Sequence, residues 1–160
     1  FACGAPSATA VATGARPVPA SLPSLLAIGL RRDYPAGCVQ AVTTSAFAVD
    51  AVPPDRRATL RALEWHDLGA GDAVEATLVL TDATGATARA SIGAWTGAAA
   101  AGPAALAPSE LDAGPAIAAG LASLGNPTGG AEARIELRLT SAGGAGRGFF
   151  ADDLELVLEP

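Results

Sequence analysis

From Val39 onward, apolar or small residues recur at every second position, through Ala41, Thr43, Ser45 and Phe47 to Val49, and this period predicts one strand with these side chains on a single face. Pro53-Pro54 ends it, and Asp55-Arg56-Arg57 supplies a polar turn. The run Thr59 to Leu68 fits two patterns: Leu60 and Leu63 suit a short helix, whereas Leu63 and Trp65 alternating with charged neighbours suit a strand. Its surroundings favour the strand. Val74, Ala76, Leu78 and Leu80, then Ala88, Ala90, Ile92 and Ala94, form two arms of a hairpin around Asp82-Ala83-Thr84-Gly85, where Gly85 provides the positive φ such a loop needs.

Residues 97 to 130 break the alternation with alanine, glycine and proline, and only Pro115 to Leu124 is regular. There Ile117, Leu121 and Leu124 fall on one helical stripe, Pro115 suits the first turn, and Gly125 and Asn126-Pro127 stop the helix. Ile135, Leu137 and Leu139 alternate with Arg134, Glu136 and Arg138 in a half-buried strand. A glycine-rich turn, Gly143 to Gly148, leads to a last strand with Phe150, Leu154, Leu156 and Leu158 expected to face the core. Toward the N-terminus, Pro17, Pro19 and Pro23 exclude a helix. The expected organisation is an extended N-terminal arm, 1–37, packed on an antiparallel β-sandwich, 38–160, with one short helix in a long connection.

Composition narrows the class. Half of the 160 residues are hydrophobic, but 40 are alanine, so the large apolar side chains suffice for one modest core. The charge is −6, all ten basic residues are arginine, and apart from two adjacent pairs they are scattered, which disfavours nucleic acid as a partner. No stretch is long and apolar enough to span a bilayer. Methionine is absent even at residue 1, so a cleaved signal peptide is expected, and with it a secreted, periplasmic or cell-surface location. Cys3 and Cys38 are the two cysteines, and in an exported chain such a pair is expected to form a disulfide, worth about 3 to 4 kcal/mol on a chain-entropy account.

Candidate chemistry is sparse. His66 is the single histidine, no Gly-x-Ser-x-Gly elbow supplies a nucleophile, and the adjacent Asp67 points to the opposite side of a strand, so the chain is not expected to be an enzyme. Asp152, by strand parity with Leu154, Leu156 and Leu158, is expected to face inward, where a carboxylate needs a partner. That partner is a structural Ca²⁺, an arginine such as Arg147, or backbone N–H groups. Trp65, Trp95 and Tyr34 are the rings available to stack on a sugar, in competition with the core, which has few large apolar residues to draw on.

The segment Ala133-Arg134-Ile135-Glu136-Leu137-Arg138-Leu139, a glycine loop, and Gly148-Phe149-Phe150-Ala151-Asp152-Asp153-Leu154-Glu155-Leu156 resembles the ending of galactose-binding-like jelly-roll domains of the CenC carbohydrate-binding kind. The hairpin at Asp82 to Gly85 and the strand through Trp65 resemble their middle portion. The resemblance implies a jelly-roll sandwich and a non-catalytic extracytoplasmic binding module, with carbohydrate or cell-surface glycan as the leading ligand. The alternative is a structural or assembly subunit whose partner is another protein. Exposure of Trp65, Trp95 and Tyr34 together in one groove would favour glycan, and their burial would favour assembly.

Overall fold

The computed structural model describes residues 26–28, 34, 36–97, 105–143 and 146–160. Nine strands and one helix follow in order: β1 Leu26–Ile28, β2 Val39–Thr43, β3 Phe47–Val49, β4 Arg57–Asp67, β5 Ala73–Thr81, β6 Thr87–Thr96, β7 Ala107–Asp112, α1 Gly114–Ser123, β8 Ala131–Thr140 and β9 Gly148–Glu159. They form two antiparallel sheets, β1-β9-β4-β7 and β2-β8-β5-β6, with β3 also paired to β8. With β2 and β3 taken as one interrupted strand, each sheet interleaves strands from both halves of the chain, which is jelly-roll connectivity. β1 lies inside the segment expected to be an arm and is a strand of the four-stranded sheet, while most of 1–37 lies outside the described residues.

Period-two patterning puts the core between the sheets. Val74, Ala76, Leu78 and Leu80 on β5 meet Ala133, Ile135, Leu137 and Leu139 on β8, and Ala58, Leu60 and Ala62 of β4 close over them. The hairpin between β5 and β6 turns where expected. Asp82 Oδ1 accepts the Thr84 N–H at 2.8 Å and the Ala86 N–H at 3.0 Å, and Gly85 takes φ 85°. Helix α1 carries the chain from one sheet to the other, burying Ala116, Ile117 and Leu121 against the core. It starts at a Gly-Pro pair and ends before Gly125, at φ 77°. Its buried Gly120 lies so close to Leu80 that an added Cβ would collide with that side chain.

The alternation expected from sequence breaks in β6, where Ala76 pairs with Gly93 and Thr77 with Ser91, so Ile92 is an extra residue. Trp95 is therefore buried, while Ala94, expected to share the face of Ala88 and Ala90, is exposed. Two further irregularities reverse the alternation elsewhere. Thr43 pairs with Glu136 and Phe47 with Ala133, so three residues face two and the expected single strand 39–49 divides. Val39, Ala41 and Thr43 are therefore exposed, whereas Val49 is buried and Phe47 packs against the core. At the break the Thr44 hydroxyl accepts the Ile135 N–H at 3.0 Å, replacing a backbone acceptor.

The last irregularity lies in β9, where Arg61 pairs with Glu155 and Leu63 with Asp152, so Asp153 and Leu154 together oppose Ala62 alone. Asp153 absorbs the extra residue at φ 49°, and its N–H donates to Asp152 Oδ1 at 3.0 Å. Leu154 and Leu156 pack on the core as expected. Asp152 shares the side of its partner Leu63 and so faces away from the second sheet, together with Phe150 and Trp65. Asp152 is buried, at 6% exposure, and Asp153 is exposed, but the expected inward parity with Leu154 is broken by the bulge. Leu158, expected in the core, is 53% exposed. β7 was not expected, because Ala107-Pro108-Ser109 carries no strand pattern. It forms by pairing with the edge of β4.

The bulge sets an order of mutational costs. Asp152→Ala removes the acceptor of the Asp153 N–H and is expected to destabilise by about 1 to 3 kcal/mol. Asp153→Gly relieves a left-handed backbone and is expected to be neutral or stabilising by up to about 1 kcal/mol. Chemical denaturation checks this, and an Asp153→Gly loss as large as that of Asp152→Ala would contradict the bulge.

Candidate functional site

The three rings expected to serve as ligand platforms are all buried: Tyr34 is 2% exposed, Trp65 7% and Trp95 7%. Nor do they share a groove. Trp95 lies between the sheets, tilted onto Phe149 with centroids 4.9 Å apart, and its Nε1–H donates to Ser109 Oγ at 2.9 Å, joining β6 to β7. Trp65 lies on the other side of the four-stranded sheet, tilted onto Phe150 at 5.5 Å. The Arg147 guanidinium sits over its ring, 4.9 Å from the centroid, while Arg147 Nε donates to Asp67 Oδ2 at 2.5 Å.

Tyr34 closes one end of the sandwich. Its N–H donates to the Gly146 carbonyl at 3.0 Å, and its hydroxyl donates to Asp72 Oδ2 at 2.8 Å while accepting the Gly69 N–H at 2.7 Å. Asp72, 2% exposed, also accepts the Ala142 N–H at 2.8 Å, and the neighbouring Ser141 N–H donates to the Cys38 carbonyl at 2.9 Å. Burial pushes the Asp72 pKa up, but hydrogen bonds from Tyr34, Ala142, Ser141 and Gly143 outweigh it and hold the group below the usual carboxylate range. Burial first, and the Asp72 carboxylate with it, push the Tyr34 phenol up to about 12 against the opposing Gly69 hydrogen bond. Gly146 fits because it lacks a side chain: a Cβ there would collide with the Asp67 carbonyl and the Tyr34 hydroxyl.

Cys38 is buried beside this closure, whereas Cys3, and with it the expected pairing, lies outside the described residues. Among the described residues, no three His, Cys, Asp or Glu side chains gather as a metal site.

His66 points between the sheets with Glu64, two residues earlier on β4. Its Nδ1 lies 2.8 Å from Glu64 Oε2 and its Nε2 3.2 Å from the Thr96 carbonyl. With acceptors at both nitrogens the imidazolium is favoured. The Glu64 hydrogen bond raises the pKa most, burial opposes it, and the Glu64 charge, the Thr96 carbonyl and the Asp67 charge add to the rise. The opposite orientation of Asp67 was legible in the sequence. The partner that does engage His66, Glu64, was missed, although its i−2 spacing on a strand signals it.

One concavity was also missed. A cleft of about 550 Å³ lies where β3, the β5–β6 turn and the start of β8 meet, lined by Phe47, Thr81, Asp82, Glu132, Gly129 and Gly130 among small alanines. No local signal marks it, because its parts come from three separate stretches of chain. Comparison with known proteins returned no matching family model, curated protein or solved structure.

The His66 geometry gives a pH dependence of defined sign. A raised folded-state pKa contributes stability that is fully present below the unfolded value near 6.5 and is lost as pH rises through the folded value. The stability advantage of wild type over Glu64→Gln is therefore expected to shrink as pH increases from about 6.5, measured by urea denaturation. An advantage that grows over that range would contradict the pairing.

Proposed function

We propose that this chain is a non-catalytic extracytoplasmic β-sandwich module with a structural or assembly role, presenting its surface to another protein. The observation that carries this reading over glycan recognition is the use of its rings. Tyr34, Trp65 and Trp95 are buried, and the Tyr34 hydroxyl and Trp95 N–H bond to Asp72 and Ser109. A sugar-stacking platform needs an open ring face, and here Phe149, Phe150 and Arg147 take up the faces of the tryptophans. The non-catalytic reading is supported by His66, both of whose nitrogens are held by neighbours.

An extracytoplasmic location carries with it a Cys3–Cys38 disulfide, since these are the two cysteines of the chain. The glycan reading is kept as a second one by the cleft at Phe47, whose partly buried ring has hydroxyl and carboxylate neighbours.

Two measurements separate the readings. Affinity electrophoresis through gels containing soluble polysaccharides is expected to leave migration unchanged. Cross-linking in the producing cell's envelope and secreted fractions, read by mass spectrometry, is expected to give recurrent links to one protein. Retardation by a polysaccharide that its free oligosaccharide reverses would overturn the assembly reading.

A further inference from the structure

We propose that the cleft between β3, the β5–β6 turn and β8 is a docking site for a basic side chain, arginine or lysine, carried by a protein partner. This rests on the assembly reading and adds to it the chemistry of the contact. The cleft volume, about 550 Å³, falls within the usual range of ligand sites, about 300 to 1,000 Å³. Its lining holds two carboxylates, Asp82 and Glu132, and no basic group, in a chain of net charge −6. Charge complementarity therefore selects a cation. Beside the acids lie Phe47 and the small walls of Ala46, Ala48, Ala83 and Ala131, which suit the aliphatic stem of such a side chain and offer a ring to its head.

The two acids are prepared differently. Asp82 is fixed before any ligand arrives: Oδ1 accepts from the Thr84 N–H at 2.8 Å, the Thr84 hydroxyl at 2.7 Å and the Ala86 N–H at 3.0 Å. The Thr84 hydroxyl above all holds its pKa low, so it stays ionised, and little side-chain entropy remains to be lost on binding. Glu132 is already an acceptor for a guanidinium, since Arg134 Nη2 lies 3.3 Å from its Oε1. Both of those side chains are more than half exposed, so that pair is weak and easily exchanged for an incoming arginine. The rim is also shaped for access. Gly129 has open space around it, while Gly130, at φ 69°, is packed so tightly on Asp50 and the Val49 carbonyl that a side chain would not fit.

The test is a titration of the ¹⁵N-labelled protein with a blocked pentapeptide carrying one central arginine, and with its lysine, citrulline and free putrescine counterparts. The arginine and lysine peptides are expected to shift the amide signals of Phe47, Thr81, Asp82 and Glu132. The citrulline peptide, similar in shape but uncharged, is expected to bind at least about tenfold more weakly. Asp82→Asn keeps the Oδ1 acceptor of the turn and removes the charge, so it should weaken the arginine peptide about tenfold while leaving the protein folded, and Glu132→Gln should act in the same direction. Equal binding of citrulline, unchanged binding to the Asp82→Asn/Glu132→Gln double variant, or putrescine binding as tight as the peptide would overturn the assignment. If the peptide fails while cross-links to one protein persist, the cleft assignment alone falls. If a neutral oligosaccharide displaces the peptide, the assembly reading falls with it.

Discussion

A carboxylate at 2% exposure is costly unless its oxygens are bonded, and Asp72 meets that requirement by drawing three separate stretches of chain together. The Tyr34 hydroxyl satisfies one of its oxygens and the Ala142 N–H the other. The same hydroxyl accepts the Gly69 N–H, so the turn before β5, the loop after β8 and the chain before β2 meet at one point. With that loop fixed, Gly146 packs against the Asp67 carbonyl, and Arg147 reaches both Asp67 and the Trp65 ring. The end of the sandwich is thus closed by polar contacts of specific geometry, which an alanine-rich composition alone could not provide.

That closure bears directly on function. With 4% aromatic residues, the chain has few rings to divide between stability and recognition, and here Tyr34, Trp65, Trp95, Phe149 and Phe150 are all buried. Among the described residues, Phe47, half-buried on the short β3, is the aromatic that borders open space, and it does so beside two carboxylates. With those rings inside, charged pairs stand on the described surface along with the exposed aliphatic side chains of Val39 and Leu158. The pairs Arg89–Glu136, at 2.5 Å, and Arg61–Glu110, at 2.9 Å, illustrate this on exposed strand faces.

The architecture was legible where alternation was uninterrupted. β5 and β8 alternate through their full length, and the helix announced itself by its apolar stripe, Pro115 and Gly125. Register was not legible across bulges, because one inserted residue reverses every later side chain and leaves no mark in composition. Thr44 to Ala46, Ile92 and Asp152-Asp153 are the instances, and the last turned Asp152 from an expected core position to the opposite side of its sheet. The site was less legible than the fold. Tyr34 and Asp72 are 38 residues apart, and no local pattern connects them. The cleft likewise draws on residues near 47, 82 and 130, which only the sheet topology brings together.

The claim that the rings serve the interior is tested most directly at Tyr34 and Asp72, by a double-mutant cycle of Tyr34→Phe, Asp72→Asn and the pair, each unfolded in urea near neutral pH. The account predicts that both single changes destabilise and that they couple by about 1 to 3 kcal/mol, because each leaves the other's buried polar group without its partner. Additive effects, or a Tyr34→Phe variant as stable as the wild type, would contradict it.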